Sequence, residues 1–346
     1  MKITELWRHP IIQAPMAGGA TTPELVAAVS NAGGLGSLGA ALLSPLAIIE
    51  QAEHIRRLTD QPFAISLFVQ TRPLIDYEAL ESAKLLLQPL LLELGVDSLP
   101  TPTRWCEDFE AQLDALIVAR PAVASFTFDV LHGVQMQRLH DAGILVIGTA
   151  TNLAEAVVWQ AMGADAICLQ GVEAGGHRGT FIGPQHASNL SALELLQECA
   201  AQITLPLIVA GGIMDGKDIG RMTAAGAQAV QMGTAFLTVS ESGISPAYKQ
   251  RLLASTSDTT RQTRAISGRL ARGLNNKFME LMAPVEAQVP AYPIQNALTS
   301  SLRAHAGKSN NTELMSLWAG QGVARVRNMS AGALMTALVA EWQSTR

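Results

Sequence analysis

The run QGVEAGGHRG, from Gln170 to Gly179, places an imidazole directly behind two glycines where the apolar run AICL has just ended. A histidine in that position can titrate near neutral pH and act as a general acid or base. Of the 7 histidines, His9, His54, His132, His140, His186 and His305 lie in polar or helical contexts that suit a solvated side chain. His177 alone is flanked by Gly175, Gly176 and Gly179, which makes it the candidate catalytic residue. Its neighbours Glu173 and Arg178 read as a local ion pair that steers the loop.

Other loops are glycine-bearing as well: APMAGG from Ala14, AGGIMDG from Ala210 and QMGT from Gln231. Glycine lets backbone N–H groups approach a ligand closely, and the start of the next helix adds a positive dipole end. A phosphate suits Gly211, Gly212 and Gly233 best, and Pro15 with Met16 can offer an apolar wall to a ring system. No nucleophile elbow GxSxG and no GxxxxGK[ST] phosphate loop occurs. Cys106, Cys168 and Cys199 are far apart with no CxxC, so neither a metal site nor a disulfide framework is expected. Cofactor-borne chemistry is the expectation.

These loops need elements to hold them. Short apolar runs begin at Ile11, Gly34, Phe63, Ala122, Ile144, Asp165, Pro206 and Ala229, separated by stretches with apolar residues every three or four positions. Strand and helix alternating in this way imply parallel strands with crossover helices. A weak repeat agrees: NAGGLGSLG, DAGILVIGT, AMGADAICLQG and AAGAQAVQMGT each pass from a helix through a glycine into a strand. Eight such units predict an α/β fold of the (β/α)8 TIM-barrel type, with an open doubly wound sheet as the alternative. Active-site loops leave the C-terminal ends of barrel strands, and a phosphate site commonly lies after strands seven and eight, where AGGIMDG and QMGT fall.

The barrel is expected over residues 1–240, interrupted at about 70–105 by a long connection with one helix of its own. Residues 241–346 are expected to form a cap or lid over the mouth. The chain has 346 residues, 48% hydrophobic and 15% charged, with a formal net charge of −5. That balance describes a well-buried globular protein without a basic field for nucleic acid. MKITELWRHP lacks a signal-peptide core, and KLLLQPLLLELG is too short and too broken to span a membrane. A soluble, cytoplasmic protein is expected, and composition does not separate monomer from homodimer.

Together PIIQAPM, SNAGGLGSLGA, QGVEAGGHRG, IVAGGIMDG and VQMGTAF resemble the nitronate monooxygenases, formerly called 2-nitropropane dioxygenases. The later motifs SGRLARGLNNK, YPIQNALT and LWAGQG resemble the bacterial class I members. The resemblance implies a non-covalent FMN and oxidation of alkyl nitronates, such as propionate 3-nitronate, with dioxygen to a carbonyl compound and nitrite. It places His177 at the family's catalytic histidine. It also places Pro15, Met16, Gln170, Gly175, Gly176, Gly211, Gly212, Gln231, Met232, Gly233 and Thr234 at flavin-contacting positions. Ser66 stands where the family often has an asparagine contact, and Thr127 where the fourth strand carries a histidine. Alternatives are an FMN-dependent enoyl-ACP reductase or NAD(P)H:quinone reductase of the same superfamily, and a non-catalytic flavin or phosphate-ligand binding barrel.

Overall fold

The computed structural model of the chain describes residues 2–98 and 100–346. Its strands in chain order are β1 (Ile11–Gln13), β2 (Gly36–Gly39), β3 (Phe63–Phe68), β4 (Val123–Thr127), β5 (Leu145–Ala150), β6 (Ala166–Gln170), β7 (Gly176–His177), β8 (Leu207–Ala210), β9 (Ala229–Met232), β10 (Thr260–Thr263) and β11 (Ala271–Leu274). β1 to β6, β8 and β9 pair in parallel in the order β1-β9-β8-β6-β5-β4-β3-β2. The ends of that sheet meet, because Gln13 N donates to Leu35 O and Leu35 N donates to Ile11 O, both at 3.0 Å. The sheet is therefore closed: the fold is a (β/α)8 barrel, and the open doubly wound alternative is excluded.

Successive strand residues point to opposite faces. Ile12, Ala64, Val123, Ile147, Ile208 and Ala229 fill the barrel interior, with Ile3 and Leu6 of the N-terminal segment in the same cluster. Their neighbours Ile11, Ile65, Ala124, Val146, Val209 and Val230 face outward into the core shared with the helices. Burial on both faces explains why the runs are almost continuously apolar. Side-chain caps start most of the surrounding helices: Thr22, Ser44, Asp108, Asn152, Ser191 and Asp215 each accept a first-turn N–H. The repeated glycines end them, with Gly33, Gly143, Gly163 and Gly226 at φ of 84°, 74°, 89° and 109°.

Gly148 on β5 illustrates how closely sheet and helices approach. A Cβ there would lie 2.0 Å from the ring of Trp159, which is fully buried and donates Nε1–H to Thr149 O at 3.0 Å. Gly148→Ala is expected to destabilise the protein by about 1–3 kcal/mol through overpacking, read as a lower denaturation midpoint. An unchanged midpoint would refute this packing account.

Two expectations about organisation change. The connection after β3 holds two helices, Tyr77–Leu86 and Gln88–Leu94, rather than one. Pro89 in the first turn of the second has no N–H to continue the ladder, so the chain breaks at Leu87. The helix Ala331–Gln343 belongs to the barrel rather than to a cap. It packs beside the helices Pro23–Asn31 and Gly216–Ala224, and its Leu334, Met335, Leu338 and Trp342 enter the barrel core. It is thus the eighth ring helix, and the cap lies within the long connection between β9 and that helix. Leu80, Leu87 and Leu90 of the earlier insertion share a second core with Ile266, Phe278, Met279 and Leu302. Among the described residues, no helix is long and apolar enough to cross a membrane.

Candidate active site

Ser66, Ser125, Gln170 and Gln231 continue the inward-facing rows of their strands beyond the apolar interior, and so line the C-terminal mouth. Ser66 and Ser125 are register partners. Ser125 Oγ is buried without a hydrogen-bond partner among the described residues, as are both amide atoms of Gln70, two residues beyond Phe68. Buried polar atoms are normally satisfied, so these orphans mark a mouth built for a polar ligand.

His177 lies in β7, which pairs with β11 through Ala271↔His177 and Arg272↔Gly176. The segment beyond the barrel thus closes over the mouth and fixes the histidine loop by backbone pairing. Gln170 holds the loop from below: its Nε2 donates to His177 O at 2.9 Å and its Oε1 accepts from Gly179 N at 2.9 Å. The expected Glu173–Arg178 ion pair is not formed. The Glu173 carboxylate accepts instead from Ala192 N at 3.0 Å, at the start of the next helix. Arg178, 1% exposed, donates to the carbonyls of Gly171 at 2.7 Å and Ser188 at 2.8 Å. It is a buried staple of the loop, because those carbonyls lie within its reach and the Glu173 oxygens are already used.

The imidazole is walled by four aromatic rings: Phe68, Phe128, Tyr292 and Trp318, with centroids 6.2, 5.7, 5.7 and 5.4 Å away. Part of the residue's surface stays open, but the ring itself is desolvated. Burial first, then the positive charges of Arg269 and Arg303, push its pKa down to about 3. The ring is therefore neutral at neutral pH. Its tautomer follows from the hydrogen bonds. Nε2 lies 2.8 Å from Ser267 Oγ, whose hydroxyl donates to Arg269 O at 3.1 Å. A hydroxyl carries one proton, so when Ser267 donates it to Arg269 O it accepts from Nε2–H and the Nδ1 lone pair is left free.

Arg269 and Arg303 form no ion pair with a carboxylate among the described residues, although burial lowers the pKa of each to about 10. Both remain cationic. Arg303 is held by Thr299 Oγ1 at 3.2 Å and by Asn296 O and Oδ1 at 2.9 Å. Two guanidiniums beside a neutral imidazole make the pocket positive, which favours an anionic ligand. Phe128 carries a backbone strain, with φ of 85°. For a bulky residue that conformation costs of order 1–3 kcal/mol.

The other expected positions gather at the same end. Gly211 and Gly212 have φ of 126° and 70°, Gly176 has φ of 75° with no protein atom within 4 Å of a built Cβ, and Gly233 lies beside Ala14 and Met16. Gly176 is open, a Cβ at Gly211 or Gly212 would lie 3.2–3.4 Å from Glu173 and Ala174, and the left-handed glycine backbones with the orphaned Ser125 and Gln70 fit a phosphate-bearing ring cofactor, with Pro15 just beyond β1. Two positions carry packing constraints of their own. At Gly175 a Cβ would lie 2.5 Å from Gly320 N, so glycine is required there by the neighbouring chain. Met232 faces outward into the helix-side core, 1% exposed, and its carbonyl is taken by Ala14 N at 2.9 Å. Thr234 Oγ1 accepts from Gly320 N at 2.9 Å, which ties the C-terminal segment to the glycine loops.

Sequence reasoning missed Ser267, Arg269, Tyr292, Arg303 and Trp318 as site residues. They lie 90 or more positions beyond His177, and SGRLARGLNNK, YPIQNALT and LWAGQG, motifs without a place in the barrel repeat, carry Ser267, Arg269, Tyr292 and Trp318.

Comparison with known proteins agrees with this architecture. Residues 2–341 match the family model described as nitronate monooxygenase. A probable nitronate monooxygenase of Staphylococcus saprophyticus is 40% identical over 336 residues, covering 96% of this chain and 94% of that protein. One from Staphylococcus aureus is 37% identical over 332 residues, covering 96% and 93%. Among solved structures, nitroalkane oxidase from Streptomyces ansochromogenes superposes with a TM-score of 0.92 at 38% identity, covering 99% of this chain and 98% of that one. FabK from Thermotoga maritima superposes with a TM-score of 0.76 at 25% identity, covering 99% and 96%.

Proposed function

Because the chain belongs to the nitronate monooxygenase family, we propose that it oxidises alkyl nitronates, propionate 3-nitronate among them, with dioxygen to carbonyl compounds and nitrite. We propose FMN, bound non-covalently, as the cofactor. When bound, it supplies the electron transfer to and from substrate and dioxygen. Gly211, Gly212, Gly233 and Thr234 would hold its phosphate end. Ser66, Ser125, Gln70, Gln170, Gly176 and Gln231 would border the rest, with Pro15 and Met16 beside it.

One observation carries this reading: a neutral imidazole walled by four aromatic rings at the mouth, with the charges of Arg269 and Arg303 near enough to depress its pKa. Arg269 and Arg303 would meet the negative charge of the nitronate, at a site where low dielectric strengthens the attraction. The Nδ1 lone pair of His177 would accept the carbon-bound proton when a neutral nitroalkane enters. The aromatic walls would exclude water from the reacting carbon.

The test is an absorbance scan of purified protein for bound flavin, then nitronate addition in air with nitrite detection. Nitrite release coupled to oxygen consumption supports the proposal, and a flavin-free protein that does not rebind FMN overturns it. The reductase alternative of the same superfamily makes NADPH the essential control. Rapid anaerobic bleaching of the flavin by NADPH alone would favour a reductase instead.

A further inference from the structure

We propose that Phe128 is a specificity-determining residue that limits the length of the alkyl chain the pocket accepts. The inference rests on the function proposed above. Its structural basis is the fixation of one ring. Phe128 stacks on Phe68 with centroids 4.2 Å apart and planes at 30°, and the Arg269 guanidinium carbon lies 3.9 Å from the Phe128 centroid. Two partners this close to one ring centre must occupy opposite faces, so Phe128 is the middle layer of a three-layer stack. Arg269 cannot yield, because its Nε donates to Arg178 O at 2.9 Å. The edge of Phe128 contacts Tyr292, with centroids 5.4 Å apart at 73°.

The backbone points the same way. A φ of 85° is natural for glycine and unfavourable for phenylalanine, yet the chain holds a large ring there. Thr127, just before it, is tied to the sheet by Val69 N, which donates to Thr127 O at 2.9 Å. The side chain therefore has neither a rotameric nor a backbone route by which to swing aside. Of the four rings around His177, Phe128 is the buried one, at 7% exposure, whereas Phe68, Tyr292 and Trp318 keep part of their surface open. An alkyl chain held beside His177 would abut this fixed ring, whose centroid lies 5.7 Å from that of the imidazole.

The experiment compares wild type with Phe128→Ala and Phe128→Leu on nitronates of two, four and six carbons, reading kcat/KM from nitrite release. One methylene in an apolar pocket is worth about 10–200-fold in discrimination. Wild type is accordingly expected to favour the two-carbon over the six-carbon nitronate by at least tenfold, and Phe128→Ala to shift that ratio at least tenfold toward the longer chain. Phe128→Leu should shift it in the same direction, and it keeps enough volume to fold if the alanine variant does not. A parallel series reads flavin-fluorescence change on titrating wild type with alkyl carboxylates of the same lengths, and needs no turnover. Affinity that weakens beyond a short chain supports the limit. A wild type that turns over no nitronate but shows this weakening would refute the proposed reaction and leave the limit standing. Chain-length ratios unchanged in both variants, or carboxylate affinity that keeps rising with length, would overturn it.

Discussion

His177→Asn is expected to lower kcat/KM for neutral nitroalkanes by about 10²–10⁴-fold, the usual contribution of a positioned general base. The loss should be smaller for preformed nitronates, which need no proton removed and whose charge falls to Arg269 and Arg303. Asparagine places its amide near the Nδ1 position and falls short of Ser267, but the β7–β11 pairing that holds the loop is between backbone groups and should survive, so flavin content should stay at the wild-type level. In the free wild-type enzyme the pKa of about 3 keeps the ring neutral. Its proton uptake therefore removes activity only as pH falls toward 3, and kcat/KM should show no acidic limb near 6.5 from this residue. The stability sign follows the same way. Between pH 6.5 and about 3 the unfolded chain binds a proton at this site that the folded chain refuses, so wild-type stability falls as pH drops through that window. The asparagine variant should lack that component. Equal losses on nitroalkane and nitronate would show that His177 serves binding or loop structure instead of proton transfer.

The barrel is legible in the sequence because each unit repeats one local solution: a capping side chain, an apolar helix stripe, a left-handed glycine and a strand buried on both faces. Thr22, Gly33 and the run to Gly39 are a complete instance. What local reading cannot supply is the partner of a helix that arrives late. Ala331–Gln343 has the apolar pattern of any buried helix, and only tertiary contact shows Met335 against the first ring helix and Trp342 against the seventh. Its distance from β9 in the sequence made it look like part of the cap. The interruption at Gln88 and Pro89 is visible in the sequence, but Pro89 suits the first turn of a new helix as well as a kink, so one helix and two are not distinguished there.

The site divides along the same line. His177, Gly176, Gly211 and Gly212 announce themselves by residue type and by position at strand exits. Their counterparts from the cap do not, because Ser267 or Trp318 has no local signature and acquires a role only through β11, which crosses from residue 271 to pair with residue 177. Gly175 carries a constraint that local sequence does not show, because the atom a side chain there must avoid belongs to Gly320. Arg178 is a related case: proximity in sequence suggested Glu173 as its partner, whereas the carboxylate that bears on the loop comes from another unit of the barrel.

That carboxylate is Glu155, and its replacement is expected to be the most damaging single change outside the catalytic group. Glu155 is fully buried. One of its oxygens accepts from Thr151 N at 2.6 Å and Thr151 Oγ1 at 2.9 Å, and the other from Phe181 N at 2.5 Å and Ile182 N at 2.9 Å. Its charge also acts on Arg178, itself buried, although the two form no direct ion pair among the described residues. Removing the carboxylate leaves those four donors without their acceptor, which should cost about 3–5 kcal/mol. Glu155→Gln is the sharper test than Glu155→Ala. The amide is nearly isosteric, but all four neighbours are donors and a glutamine NH₂ can accept from none of them. Glu155→Gln should therefore lower the urea midpoint nearly as much as alanine does, and speed amide exchange across residues 178–182. Arg178→Met should be similarly destabilising, and the Glu155→Gln/Arg178→Met double variant less so than the sum, because the two charges compensate each other. A glutamine variant as stable as wild type would mean that the bonds are not carboxylate-specific, and strict additivity would mean that Arg178 and Glu155 hold the loop independently.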